Sequence, residues 1–176
     1  MPALSQGLVQ VYTGEGKGKT TAALGLALRA AGWGLRSYIA QFMKYQPSGE
    51  EEALKCLAPL VTLEKFGRPG FLRPGEWAAE DRALAQEGLA RARVALLDGG
   101  YDLVILDEVN TAVSFGLLGE QDLLDLIAAR PRHVELVLTG RGATPGILER
   151  ADLVTRMVEE KHPYQRGIAA RRGIEY

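Results

Sequence analysis

Gly14-Glu15-Gly16-Lys17-Gly18-Lys19-Thr20-Thr21 is the stretch that decides the fold. It follows an apolar, β-prone run, Leu8-Val9-Gln10-Val11-Tyr12, and precedes an Ala- and Leu-rich run from Ala22 to Ala31. Strand, Gly-rich loop and helix in that order form the context of a nucleotide-binding loop. The glycines let backbone N–H groups turn inward around an anion, and the new helix points its positive end at the same anion. Lys19 supplies a mobile cation for phosphate oxygens, and the Thr20 hydroxyl suits Mg²⁺. The common pattern places four residues between its first glycine and the Gly-Lys-Thr. Here that position holds Thr13, and counting from Gly14 leaves only three. A displaced glycine predicts an altered seat for the triphosphate. A bare Gly-Lys-Ser/Thr triplet arises by chance in roughly one chain in ten of this length. Three interleaved glycines, a second lysine and the flanking elements make chance a poor explanation, so Thr13 through Thr21 are the expected nucleotide ligands.

Outward from the loop, strand-like and helix-like segments alternate to the end of the chain, the pattern of an α/β fold with a parallel sheet. Helices are expected over residues 19–31, 49–57, 76–98 and 119–130, with a further one starting at Thr144-Pro145. Strands are expected over 8–12, 36–42, 60–66, 102–108, 134–139 and 153–158. Ser48 and Glu51 have capping-box spacing, and Glu87 and Arg91 have the spacing of an attractive helical pair. Gly67 to Gly75 is the most punctuated stretch and reads as a loop. Residues 161–176 are polar and irregular. Without repeats or linkers, residues 1–176 are expected to form a single domain.

In parallel sheets, ligands bind outside the carboxyl ends of the strands. Four features of this sequence fall there: the Gly-rich loop, Gln41-Phe42-Met43-Lys44, Asp107-Glu108, and Thr139-Gly140-Arg141-Gly142. Asp107 and Glu108 follow an apolar run, and carboxylates at such a position hold a metal directly or through water. Their alternative is a solvated acidic turn. Arg141 has a planar fork suited to phosphate, or is a solvent-facing loop arginine. Lys44 is open in the same way. His133 and His162 lack metal-ligand spacing and read as structural or surface residues.

Composition narrows the classes. The 176 residues, 47% hydrophobic and 24% charged, suit a globule with a substantial core. With 21 basic and 22 acidic residues the net charge is −1, which gives no electrostatic case for nucleic acid or an anionic membrane. One cysteine, Cys56, excludes an intrachain disulfide and a cysteine-based metal cluster. No signal-peptide pattern or run of ~20 apolar residues is evident, so a cytoplasmic location is expected.

The sequence resembles the corrinoid (cob(I)alamin) adenosyltransferases of the P-loop type. The resemblance runs from Val11-Tyr12-Thr13-Gly14 and the shortened loop through Gln41-Phe42-Met43-Lys44, Leu106-Asp107-Glu108 and Thr139-Gly140-Arg141-Gly142. It continues in Lys161-His162-Pro163-Tyr164 and Gly167-Ile168, and closes with Arg172-Gly173-Ile174-Glu175-Tyr176.

The resemblance implies a P-loop NTPase-like (RecA-like) fold with a mainly parallel six-stranded sheet. It also implies transfer of the 5′-deoxyadenosyl group from ATP to cobalt(I) of a reduced corrinoid, with triphosphate released. Mg²⁺ (or Mn²⁺) is the implied cofactor, with Thr20, Asp107 and Glu108 at the metal and Lys19 and Glu108 as catalytic groups. Arg141 joins the loop on ATP, bound with its γ-phosphate deep and C5′ exposed, while Phe71 and Lys44 face the corrinoid. A homodimer and an electron-donating reductase are further implications. Two positions depart from the family: Glu15 stands where Asn is common, and Arg73 where a second lid aromatic is expected, with Trp77 as the nearest substitute. The rival functions are a P-loop ATPase or kinase acting at the γ-phosphate, and a nucleotide-dependent corrinoid-binding module.

Overall fold

A computed structural model of the chain describes residues 4–70 and 75–175. The strands are β1 (Val9–Thr13), β2 (Ser37–Phe42), β3 (Val61–Phe66), β4 (Leu103–Asp107), β5 (Glu135–Thr139) and β6 (Leu153–Arg156). The helices are α1 (Lys19–Gly32), α2 (Gly49–Lys55), α3 (Ala79–Leu97), α4 (Val109–Ser114), α5 (Glu120–Ala129) and α6 (Pro145–Arg150), followed by a 3₁₀ turn at Pro163–Arg166. All six strands pair in parallel, in the order β3-β2-β4-β5-β1-β6. The α/β expectation holds.

The central strands are apolar because both faces of the sheet are covered. Side chains alternate across a strand, so Leu103 and Ile105 of β4 share one core with Ala23, Leu24 and Ala27 of α1 and Leu54 of α2. Val104 and Leu106 face the opposite layer, where Ala85, Ala92 and Leu96 of α3, Leu123 and Leu126 of α5 and Ile147 of α6 complete the larger core. Gly88 permits this packing: a Cβ there would lie 2.8 Å from the Phe66 ring and 2.9 Å from Phe42.

Most expected elements form, with shifted ends. The long helix begins at Ala79 rather than Glu76, because Asp81 accepts the Ala78 N–H at 2.7 Å and so caps a later first turn. Arg91 pairs with Glu64 of β3 rather than with Glu87. The Ser48 side chain caps α2 through the Glu51 N–H at 3.4 Å, but the Glu51 carboxylate leaves the expected box for Lys65. Thr144 and Pro145 open α6 as expected. Helix α4 was not foreseen. Among the described residues, no helix is long and apolar enough to cross a membrane.

Candidate active site

The loop between β1 and α1 rests on the chain that leaves β6. The Gly16 N–H donates to the Met157 carbonyl at 2.8 Å, and the Met157 N–H donates to the Thr13 carbonyl at 2.9 Å. Gly14 lies at φ 96°, and a Cβ there would stand 2.4 Å from the Met157 carbonyl oxygen. Only glycine fits so close an approach in that backbone region. The glycine displaced in sequence is therefore the one that lets the sixth strand floor the loop.

Lys19 is buried, and its Nζ donates to the Gly14 and Gly16 carbonyls at 2.7 Å each. Burial lowers its pKa from the ordinary lysine value; Glu108 opposes that shift and Arg141 adds to it. Thr13 is buried beneath the loop rather than on the cleft wall, which begins at Glu15. Glu15 and Arg141 face one another across the mouth at 3.3 Å, both well exposed.

Asp107 is the most heavily engaged acid. It is fully buried and ends β4, the strand between β2 and β5. Oδ1 accepts from the Thr20 hydroxyl at 2.8 Å and the Thr139 hydroxyl at 2.7 Å. Oδ2 accepts from Gln41 Nε2 at 3.1 Å and Lys44 Nζ at 2.6 Å. The loop after β1 and the end of β5 contribute one of these donors each, and the end of β2 contributes two. Glu108 follows with φ 64°, a left-handed conformation unusual for a residue with a side chain. That turn starts α4, and the Glu108 carboxylate accepts from the Thr111 hydroxyl at 2.6 Å. Thr111 Oγ1 in turn accepts the Arg141 N–H at 3.0 Å, which ties the acid to the arginine loop.

These groups border a cleft of about 510 Å³. Its wall carries Lys17, Lys19, Lys44 and Arg141 against Glu15, Glu50, Glu108, Glu159 and Glu175, so fixed charge alone does not favour a polyphosphate. The chain's tail closes one side: Lys17 Nζ donates to the Ile174 carbonyl at 3.3 Å, and Gly173, Ile174 and Glu175 line the cleft. Arg171 pairs with Glu175 and, through its side chain and its N–H, holds that carboxyl down to about 2. A second cavity of about 360 Å³ adjoins the first, lined by Phe42, Met43, Tyr45 and Pro47 among others, with Lys44, Glu50, Glu108 and Glu175 common to both.

Sequence reasoning thus finds Glu15 to Thr21, Lys44, Glu108 and Arg141 on one cleft, with Asp107 beneath it. It missed Gln41, Thr111 and Thr139 as partners of the acids, and it read His162, which lines the cleft, as a structural or surface residue. Phe71 and Arg73 lie outside the described residues. Trp77 does not take a lid position: it stacks on Phe115 at 6.0 Å between ring centroids and packs against the core.

A family model described as ATP:corrinoid adenosyltransferase BtuR/CobO/CobP matches residues 5–176. The chain belongs to that family of enzymes. A corrinoid adenosyltransferase of Pseudomonas aeruginosa is 38% identical, with 97% of this chain and 84% of the relative aligned. One from Escherichia coli is 35% identical over 97% of this chain and 86% of its own length. In this chain the shortened loop, Glu108, Arg141 and the tail meet at these cavities.

Proposed function

We propose that this adenosyltransferase-family protein moves the 5′-deoxyadenosyl group of ATP to the cobalt(I) of a reduced corrinoid in cobalamin biosynthesis. The observation that carries this reading is the pair of adjoining cavities, one walled by the glycine-rich loop and one where Phe42, Met43, Tyr45 and Pro47 stand among polar residues, with Lys44 and Glu108 on both. Two substrates in contact across that shared wall suit a direct transfer. Cobalt(I) supplies the electron pair for the new cobalt–carbon bond, the C5′–O5′ bond breaks, and its electrons leave with triphosphate. A nucleophile of that strength needs no protein base.

The chain's own work is then positioning and charge neutralisation. Lys19 exchanges the loop carbonyls for phosphate oxygens, and the loop N–H groups and Arg141 hold the rest of the triphosphate. The oxygen donors Thr20 and Asp107, 2.8 Å apart, suit Mg²⁺ or Mn²⁺. No group of three or more His, Cys, Asp or Glu among the described residues forms a metal site by itself. That fits a cation held by one or two side chains plus substrate phosphates. Such a metal, when bound, neutralises the leaving triphosphate. Glu108, on the wall shared by the cavities, would hold such a cation through water.

Lys44 and Phe71 are the proposed contacts to the corrinoid. A cytoplasmic homodimer served by an electron-donating reductase completes the assignment, by similarity to the family. The test is spectroscopic. Protein, ATP, Mg²⁺ and chemically reduced cobalamin should give a light-sensitive cobalt–carbon bond. An unchanged corrinoid beside consumed ATP would favour the ATPase or kinase.

A further inference from the structure

Lys44 places its ammonium on the two side chains assigned to a divalent cation. Nζ lies 2.6 Å from Asp107 Oδ2 and 3.2 Å from Thr20 Oγ1. The preceding residue, Met43, has φ 59°, a left-handed bend at the end of β2 that costs energy in a residue with a side chain. The two partners differ in freedom: the Lys44 side chain is 32% exposed, whereas that of Asp107 is fully buried. The ammonium can leave and the carboxylate cannot.

We propose that Lys44 is a resident counter-ion for Asp107, displaced when metal and nucleotide enter together. The proposal rests on Thr20 and Asp107 being the metal seat. A buried carboxylate is costly without a cation, and the Thr20, Thr139 and Gln41 donors are neutral. Lys44 supplies the missing charge. A divalent cation on Thr20 Oγ1 and an ammonium on the same pair of groups repel one another strongly in a partly buried site. One of them must go.

A hydrated cation alone meets Thr20 and Asp107 directly and Glu108 only through water, and competes poorly with a tethered ammonium. Triphosphate oxygens change the balance twice: they add ligands to the metal, and they attract the freed lysine. Lys44 borders both cavities, so it can stay beside the reacting groups after it swings away. The device makes metal loading conditional on nucleotide.

The experiment is Mn²⁺ titration, followed by the paramagnetic signal of the free ion, together with thermal melting, all without nucleotide. Wild type should bind Mn²⁺ weakly and melt at a temperature that millimolar Mn²⁺ hardly changes. Lys44→Met should bind Mn²⁺ at least about tenfold more tightly, because the competing charge is gone. It should also melt lower than wild type without metal and recover on adding Mn²⁺. Lys44→Gln serves the same purpose if Lys44→Met does not fold. Mn²⁺ affinity in both variants no better than wild type would overturn the counter-ion role. If affinity rises but survives the further change Asp107→Asn, the metal seat itself is elsewhere, and that separate reading fails.

Discussion

Glu15 puts a carboxylate at the mouth of an anion-binding loop, and Arg141 answers it at 3.3 Å. In the free enzyme the acid occupies the arginine proposed to bind the triphosphate. Both side chains are well exposed, so the contact is worth little on its own. Glu15→Gln is expected to tighten ATP binding about two- to fivefold, the scale of one exposed pair. Calorimetry would check this, and the gain should vanish in an Arg141→Ala background. Lys19→Ala and Glu108→Ala should each fold and lose at least ~100-fold in turnover, the first because it removes a cation proposed to face the leaving triphosphate, the second because it removes a carboxylate proposed to hold the metal through water. Steady-state rates beside circular dichroism would check both. At this scale the sequence displayed the phosphate loop and the acidic pair plainly, because their spacing is local. It could not show that Gln41, Thr20 and Thr139 converge on Asp107. That convergence depends on β2, β4 and β5 lying side by side, with α1 starting over their ends.

Among the elements, α3 is anchored by one clamp. Arg68 donates to both oxygens of Asp81, at 2.5 and 2.9 Å, and the same carboxylate caps the helix through the Ala78 N–H. The Arg68 guanidinium, opposed by burial and aided by the cap, holds the Asp81 carboxyl below its model-compound value of 3.8. A carboxyl lowered in the folded state contributes stability that is complete above its unfolded pKa and fades as pH falls through the lowered value. Asp81→Ala should therefore cost about 2–3 kcal/mol at pH 7, combining a lost cap with a broken pair on a buried acid. The cost should shrink as pH drops below the unfolded value near 4. Urea unfolding of both proteins at pH 7 and pH 3 measures it. The clamp was invisible in sequence, where Arg68 sits in a Gly- and Pro-rich loop thirteen positions from its partner. Helix α4 was hidden for another reason: it opens at a left-handed Glu108 with no capping side chain, and capping residues are what announce a short helix.

On the scale of the whole molecule, strand order brings the loop after β1 and the segment after β6 to one place. β1 pairs with β6 at the sheet's edge, so Met157 floors the phosphate loop and the segment after it reaches the cleft. Among the described residues, none beyond Ala151 belongs to either hydrophobic core. Removing residues 171–176 should accordingly leave the melting temperature within about 2 °C of wild type, as expected for a surface segment. It should raise KM for ATP about tenfold or more, because a wall of the cleft is lost. Sequence polarity marked this tail as irregular, and only the family resemblance marked it as specific. Its role depends on contacts with Lys17 more than one hundred and fifty positions away.

The central claim is that attack occurs at C5′ and not at the γ-phosphate. Phosphorus NMR of a reaction containing ATP, Mg²⁺ and cob(I)alamin tests it most directly. The account predicts inorganic triphosphate in equal amount to adenosylated corrinoid, with no ADP. Stoichiometric ADP and phosphate, with no adenosylated corrinoid, would contradict it.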